Sequence, residues 1–303
     1  MKFRWSLMPA QPLLAGQLAS SLKISPLLAQ CLLNRELADV GSIRSFLQPR
    51  LKELADPFLL PNISAAVDRL FQARERSEQV LVFGDYDVDG VTSTALLLEV
   101  LRTLGWVVDY YLPHRVDEGY GLSQEAVENC LKKAAAKVLV AVDCGSTSVG
   151  AIAWLNERGI DVLVLDHHQV SCPAPAAFAL VNPQLKLVKQ GSTDAGNPGT
   201  ARSEEGKRAI TSDFTELCSV GLSFKLAHAI IKRGRQIGLA GAFNFDLRPL
   251  LDLVALGTIS DLVPLVRENR ILVSAGLERL NSTQRPGLIA LKRVAQCTAP
   301  LAG

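Results

Sequence analysis

The chain has 303 residues, 48% hydrophobic and 20% charged, with a net charge of +2 at neutral pH. That length buries a substantial core and accommodates one large domain or two smaller ones, and the composition is that of a globular protein. Near-neutral charge leaves any nucleic-acid recognition to a local patch, and apolar runs such as 138–142 and 176–181 are far too short to span a bilayer. No membrane role is expected.

Residues 1–75 are Leu- and Ala-rich with helical periodicity and several prolines, and read as a helical N-terminal region. The first residues, Met1-Lys-Phe-Arg-Trp-Ser-Leu-Met-Pro, lack the continuous apolar stretch and small-residue cleavage site of a secretory leader. The six cysteines are scattered without a C-x-x-C pair. That argues against a zinc ribbon or disulfide framework and for a cytoplasmic setting.

From Val80 onward, short β-branched runs alternate with longer amphipathic stretches. Strands are predicted at 80–83, 107–112, 138–142, 162–165 and 178–181, with helices at 92–104, 123–136 and 149–158 between them. Such βαβ punctuation predicts an α/β fold with a doubly wound, mainly parallel sheet. Residues 184–213 are polar and Gly/Ser/Thr-rich and read as a long flexible loop. Beyond it, Leu217, Val220, Phe224, Ala227 and Ile231 recur at helical steps, and a second apolar helix over 250–256 leads into Ser260-Asp261-Leu-Val-Pro.

Chemistry concentrates at strand ends. Val80-Leu-Val-Phe-Gly-Asp85-Tyr-Asp87-Val-Asp89-Gly90 places three carboxylates at alternate positions after an apolar run. Anions that close repel one another unless a cation neutralises them; a solvated acidic turn is the alternative for the triplet alone. Asp143 and Asp166-His167-His168 also follow predicted strands, so three strands aim acids at the edge where ligands of such sheets bind. The candidate ligands are Asp85, Asp87, Asp89, Asp143, His167 and Asp261, with Asp166 and His168 beside them. A donor set rich in oxygen with one or two imidazoles suits manganese or magnesium better than structural zinc. So many carboxylates exceed the needs of one ion, and a two-metal site for phosphoryl hydrolysis would use them.

Thr92 and Ser93 open the helix after the triplet, where an anion or ordinary capping would satisfy the free amides. Arg115 follows another strand and is a candidate phosphate contact. Cys144 lacks a base partner, and His114 and His228 lack the tandem-histidine and strand-end-acid setting of Asp166-His167-His168, so none of these is assigned a role.

Taken in order, Gly84-Asp-Tyr-Asp-Val-Asp-Gly90, Val142-Asp-Cys-Gly145, Asp166-His-His168 and Ser260-Asp-Leu-Val-Pro264 resemble the four motifs of the DHH phosphoesterase superfamily. Asp56-Pro-Phe-Leu-Leu-Pro61, Glu118-Gly-Tyr-Gly-Leu122 and Val181-Asn-Pro183 extend the likeness to its RecJ-type branch of single-strand-specific exonucleases. Small-substrate members open with His-x-x-x-Asp-x-Asp, whereas the position four before Asp87 in this chain is Phe83, which favours the RecJ-type branch.

The resemblance implies that Asp85, Asp87, Asp143, His167 and Asp261 hold two Mn²⁺ or Mg²⁺ ions, that Asp89 supports or joins them, and that His168 contacts the scissile phosphate. It implies 5′ to 3′ hydrolysis of single-stranded DNA to 5′-mononucleotides in recombination and repair, with a single-strand-binding protein or helicase as partner. It also implies a division into 1–75, a DHH domain at 76–270 and the start of a second domain at 271–303, where the branch continues into domains that close the cleft and hold the strand. An inactive remnant, a phosphodiesterase for short oligonucleotides or cyclic dinucleotides, and a non-catalytic scaffold are the competing readings.

Overall fold

The computed structural model describes residues 6–185, 214–297 and 300–301. The polar stretch predicted as a loop at 184–213 therefore lies almost entirely outside the described residues. The chain forms two compact units, Met1–Glu53 and Leu54–Gly303. In the first, α1 (Pro12–Leu22), α2 (Pro26–Leu33) and α3 (Val40–Leu47) enclose a small core of Ala15, Leu18, Ala29, Leu32 and Ile43. Ser25 and Asp39 cap α2 and α3 by accepting from Leu28 N and Ser42 N.

The second unit opens with α4 (Ile63–Glu75) and is built on a five-stranded parallel sheet in the order β2-β1-β3-β4-β5. The strands are β1 (Val80–Gly84), β2 (Val108–Tyr111), β3 (Val138–Val142), β4 (Asp161–Leu165) and β5 (Ala179–Val181), as the run pattern predicts. β1 and β3 are buried along their whole length, because helices cover both faces and leave no face for polar residues. Alternate residues serve the two faces. Leu81, Phe83, Leu139, Ala141, Val162 and Val164 pack with Ala126, Val127 and Cys130 of α6 (Gln124–Lys133) and with Ile152 and Leu155 of α7 (Val149–Asn156). The other face meets α4, α5 (Val88–Thr103) and α8 (Ser219–Gln236).

Polar anchors fix these layers. Arg69 of α4, 5% exposed, donates to Asp161 at 2.6 Å and pairs with Glu78 at 2.7 Å, so its buried charge is matched from two sides. The indole N–H of Trp106 donates to Leu70 O at 2.7 Å. Beyond α8 come α9 (Ala240–Asn244), α10 (Leu251–Ser260), α11 (Arg267–Asn281) and α12 (Pro286–Val294). Gly257 of α10 lies where a Cβ would overlap the Thr92 hydroxyl and Val220, so only glycine lets α10 close on α5 and α8. Fully buried Lys225 of α8 donates to Glu268 of α11 at 2.9 Å and to Ala55 O at 2.7 Å, joining these elements. Among the described residues, no helix is long and apolar enough to cross a membrane.

His228 of α8 is held neutral by the fold. Burial, with Lys225 and Lys232 nearby, pushes its pKa down to about 4, against the opposing pull of Asp56, and its Nδ1 is buried with no hydrogen-bond partner among the described residues. A depressed histidine pKa means that the unfolded chain binds the proton first. The stabilising contribution is complete above about pH 6.5 and is lost as pH falls through about 4. A His228→Gln variant is expected to lose less stability than the parent between pH 6.5 and 4, measured by urea denaturation at stepped pH.

Candidate metal centre

The site is built by register. Gly84 pairs with Val142, Val142 with Leu165, and Leu165 with Val181, so β1, β3, β4 and β5 end at one level. The next residue in each strand is Asp85, Asp143, Asp166 or Asn182, all at most 1% exposed. Their backbones continue the ladder: Asp85 N donates to Val142 O at 3.2 Å, Asp143 N to Leu165 O at 3.0 Å and Asp166 N to Val181 O at 3.2 Å. The order reverses between β1 and β3, which opens the crevice where ligands of doubly wound sheets bind. Asp143 sits there at φ +63°, a left-handed conformation that a non-glycine residue adopts at a cost of about 1–2 kcal/mol.

Two more acids and a histidine complete the cluster. His167 Nε2 is 3.5 Å from Asp143 Oδ1, 3.5 Å from Asp261 Oδ2 and 4.0 Å from Asp89 Oδ2. Asp261 is the C-cap of α10. One ligand atom from each of Asp85, Asp87 and Asp143 lies within 4.8 Å of the others, as does one from each of Asp143, His167 and His168. The tertiary fold thus gathers Asp85, Asp87, Asp143, His167 and Asp261, from four separate segments, at the β1/β3 crevice.

Other predicted residues take different places. Asp89, in the first turn of α5, accepts Ser219 N at 2.7 Å on one oxygen and Val220 N at 2.8 Å on the other. It therefore caps α8, and any bond to a metal would share those oxygens. The helix start expected to receive an anion is already served by the protein, because Asp87 Oδ1 accepts Gly90 N at 2.9 Å. Thr92 and Ser93 are buried, and the Thr92 hydroxyl donates to Val88 O at 2.7 Å. They face the helix packing and not an open surface. α5 begins at Val88, earlier than the predicted 92, because Asp87 supplies its cap. Gly90 is required where it stands, since a Cβ there would overlap the Asp85 backbone.

Burial and mutual repulsion mark the cluster electrically. Burial, followed by the Asp89 and Asp87 charges, pushes Asp143 up to about 10. Burial also raises Asp85 and Asp261, and takes Asp89 up to about 6. Asp166 goes the other way: burial opposes ionisation, yet hydrogen bonds from His168 and Ser146 N together bring it down to about 2. His168 Nδ1 lies 2.8 Å from Asp166 Oδ1, and that bond raises the imidazole to about 9. Asp166 is thus an orienting partner of His168.

Cations fit this set. Among the described residues, Asp85 Oδ2, His167 Nε2 and Asp261 Oδ2 are buried without a hydrogen-bond partner, the last two facing each other at 3.5 Å, an expensive condition unless a cation meets them. Carboxylate oxygens with an imidazole are the donors that hard divalent ions and manganese take.

Ser219 carried no sequence signal, and Asn182 none beyond its place in Val181-Asn-Pro183. Ser219 Oγ donates to Asp143 Oδ1 at 2.9 Å, and Asn182 donates to Ser146 Oγ and His168 O, both at 2.8 Å. On the rim, Arg115 lies 5.1 Å from the Tyr86 ring centre, Tyr86 meets Tyr120 edge-on at 6.1 Å, and Tyr120 OH is 3.4 Å from His168 Nε2.

Comparison with known proteins settles the family. The sequence model of the DHH family, N-terminal domain, matches residues 79–258. The chain belongs to the DHH family. It is 36% identical over 287 residues to the single-stranded-DNA-specific exonuclease RecJ of Bacillus subtilis, covering 95% of this chain and 32% of that protein. Against the RecJ of Escherichia coli it is 36% identical over 241 residues, covering 78% of this chain and 38% of the relative. A crystal structure of exonuclease RecJ bound to manganese aligns with a TM-score of 0.62 at 30% identity, covering 81% of this chain and 54% of that one. RecJ of Thermus thermophilus in complex with Mn²⁺ aligns with a TM-score of 0.71 at 27% identity, covering 96% and 37%. The chain therefore spans about a third of the length of these curated relatives.

Two variants probe the cluster without substrate. In metal-free protein the raised Asp143 contributes stability that is present below pH 3.8 and lost as pH rises through about 10. Asp143→Asn removes that penalty, so in EDTA at pH 8 it is expected to melt at or above the parent, while Mn²⁺ raises its melting temperature less. Asp89→Asn turns an amide NH₂ toward a backbone N–H of α8 and is expected to cost about 1–3 kcal/mol in urea denaturation, with or without metal.

Proposed function

We propose that this chain carries the metal centre of a single-strand-specific DNA exonuclease of the RecJ type. The observation that supports this most is the set of three buried ligand atoms on Asp85, His167 and Asp261 that have no hydrogen-bond partner among the described residues, close to Asp87 and Asp143 at the β1/β3 crevice. Asp85, Asp87, Asp143, His167 and Asp261 would hold two Mn²⁺ or Mg²⁺ ions, with Asp89 supporting them from the α8 side. Divalent ions in such a site acidify water and offset the charge that develops on phosphate oxygens.

The chain's own groups do the rest. Asp166 fixes the His168 ring through Nδ1, which would leave its Nε2 edge to face the scissile phosphate. Exposed Tyr120 and half-buried Tyr86 form an aromatic rim beside it. Aromatic faces accept unpaired bases of any sequence, and Arg115 over Tyr86 adds a cation for the backbone. A base inside a duplex offers no free face to such a rim. A single strand does, which favours single-stranded DNA as substrate.

Similarity to single-stranded-DNA-specific exonucleases supports single-stranded DNA as the substrate class; 5′ to 3′ polarity, release of 5′-mononucleotides, a cytoplasmic role in recombination and repair, and a single-strand-binding protein or helicase as partner are part of the same proposal. The test is a nuclease assay on 5′-labelled single-stranded and duplex DNA with Mn²⁺. The expected result is loss of single strand alone, abolished by EDTA and by Asp143→Ala. Cleavage that survives Asp143→Ala rejects the site, and preference for dinucleotides over long strands favours a small-substrate phosphodiesterase. Tyr120→Ala is expected to raise KM roughly tenfold, from the 1–3 kcal/mol that a stacked base contributes.

A further inference from the structure

Ser219 is the first residue of α8 and is fully buried. Its amide donates to Asp89 Oδ2 at 2.7 Å, and its hydroxyl donates to Asp143 Oδ1 at 2.9 Å. One residue thus spans two acids that follow different strands, joining the β1 side of the crevice to the β3 side through the start of a helix remote in sequence. A serine hydroxyl has one proton to give. Here it is given to a carboxylate that lies 3.5 Å from His167 Nε2 and is 1% exposed.

We infer that Ser219 is a positioning residue of the metal centre, whose hydroxyl fixes the orientation of the Asp143 carboxylate for divalent-ion binding. The inference rests on the metal-centre reading above. A neutral donor on Oδ1 holds the carboxylate in one rotamer while keeping its negative charge available to a cation. It leaves Oδ2 and the remaining lone pair of Oδ1 to act as ligands. Partners of this kind, one bond removed from a metal, set ligand orientation, and losing one typically lowers metal affinity by about 10–100-fold. The same helix contains a natural control. Ser223 is also fully buried, but among the described residues its hydroxyl has no hydrogen-bond partner.

Ser219→Ala removes the hydroxyl and keeps the amide that Asp89 accepts, so the cap on α8 stays. The test titrates the parent, Ser219→Ala and Ser223→Ala with Mn²⁺ and follows free Mn²⁺ by electron paramagnetic resonance, without DNA. Melting in EDTA checks that each variant is folded. Ser219→Ala is expected to bind Mn²⁺ roughly tenfold more weakly and to change the spectrum of the bound ion, while Ser223→Ala binds as the parent does. Ser219→Gly, which also keeps the amide, reads the same loss should the alanine variant not fold. Equal Mn²⁺ affinity in the parent and a folded Ser219 variant overturns the inference, as does an equal loss in Ser223→Ala. A parent that binds no Mn²⁺ overturns the metal-centre reading and this inference with it.

Discussion

The structure depends on four parallel strands ending at one level. Because β1, β3, β4 and β5 stop in register, the residues that follow them are carried to a single edge with almost no solvent. Three of the four are aspartates. Parallel strands permit this, since every carboxyl end points the same way and the helices that cover both faces keep water out. The outcome is an electrostatic problem at the β1/β3 crevice, visible in the raised pKa values of Asp85 and Asp143. A divalent cation would resolve it.

The helices around the crevice answer the same problem from outside the sheet. The positive ends of α5 and α8 are turned toward the acids, and Asp87 and Asp89 accept their free amides. α10 contributes its other end, which delivers Asp261 opposite His167. Gly90 and Gly257 let these backbones approach more closely than any side chain would allow. Asp166 and Asn182, beyond β4 and β5, are given over to holding His168 in place. The rim is built on another principle: Tyr86, Arg115 and Tyr120 lie on loops, where a ligand can reach them.

Much of this was legible in the sequence for a plain reason. Strand and helix periods are local, so β1 to β5 and the helices between them could be read from runs and spacing, and ligand chemistry is carried by residue type. An acid directly after a buried parallel strand has nowhere to point except the strand-end edge. That made Asp85, Asp143 and the Asp166-His167-His168 segment visible as one constellation. Asp261 follows a helix and not a strand, so no strand end directs it to that edge.

What the tertiary structure alone decided was which groups touch. Hydrogen bonds between segments far apart in the chain leave no periodicity. Nothing local announces that Asp89 caps α8, that Ser219 donates to Asp143, or that Asn182 reaches the His168 carbonyl. The same limit misplaced Thr92 and Ser93: a helix start looks available to an anion until the fold shows Asp87 occupying it. The sequence by itself determined the strands, the acids at their ends and the kind of cation they suit. Packing decided which acid oxygens are taken by a helix amide, because that depends on which amide lies within about 3 Å once the chain is compact.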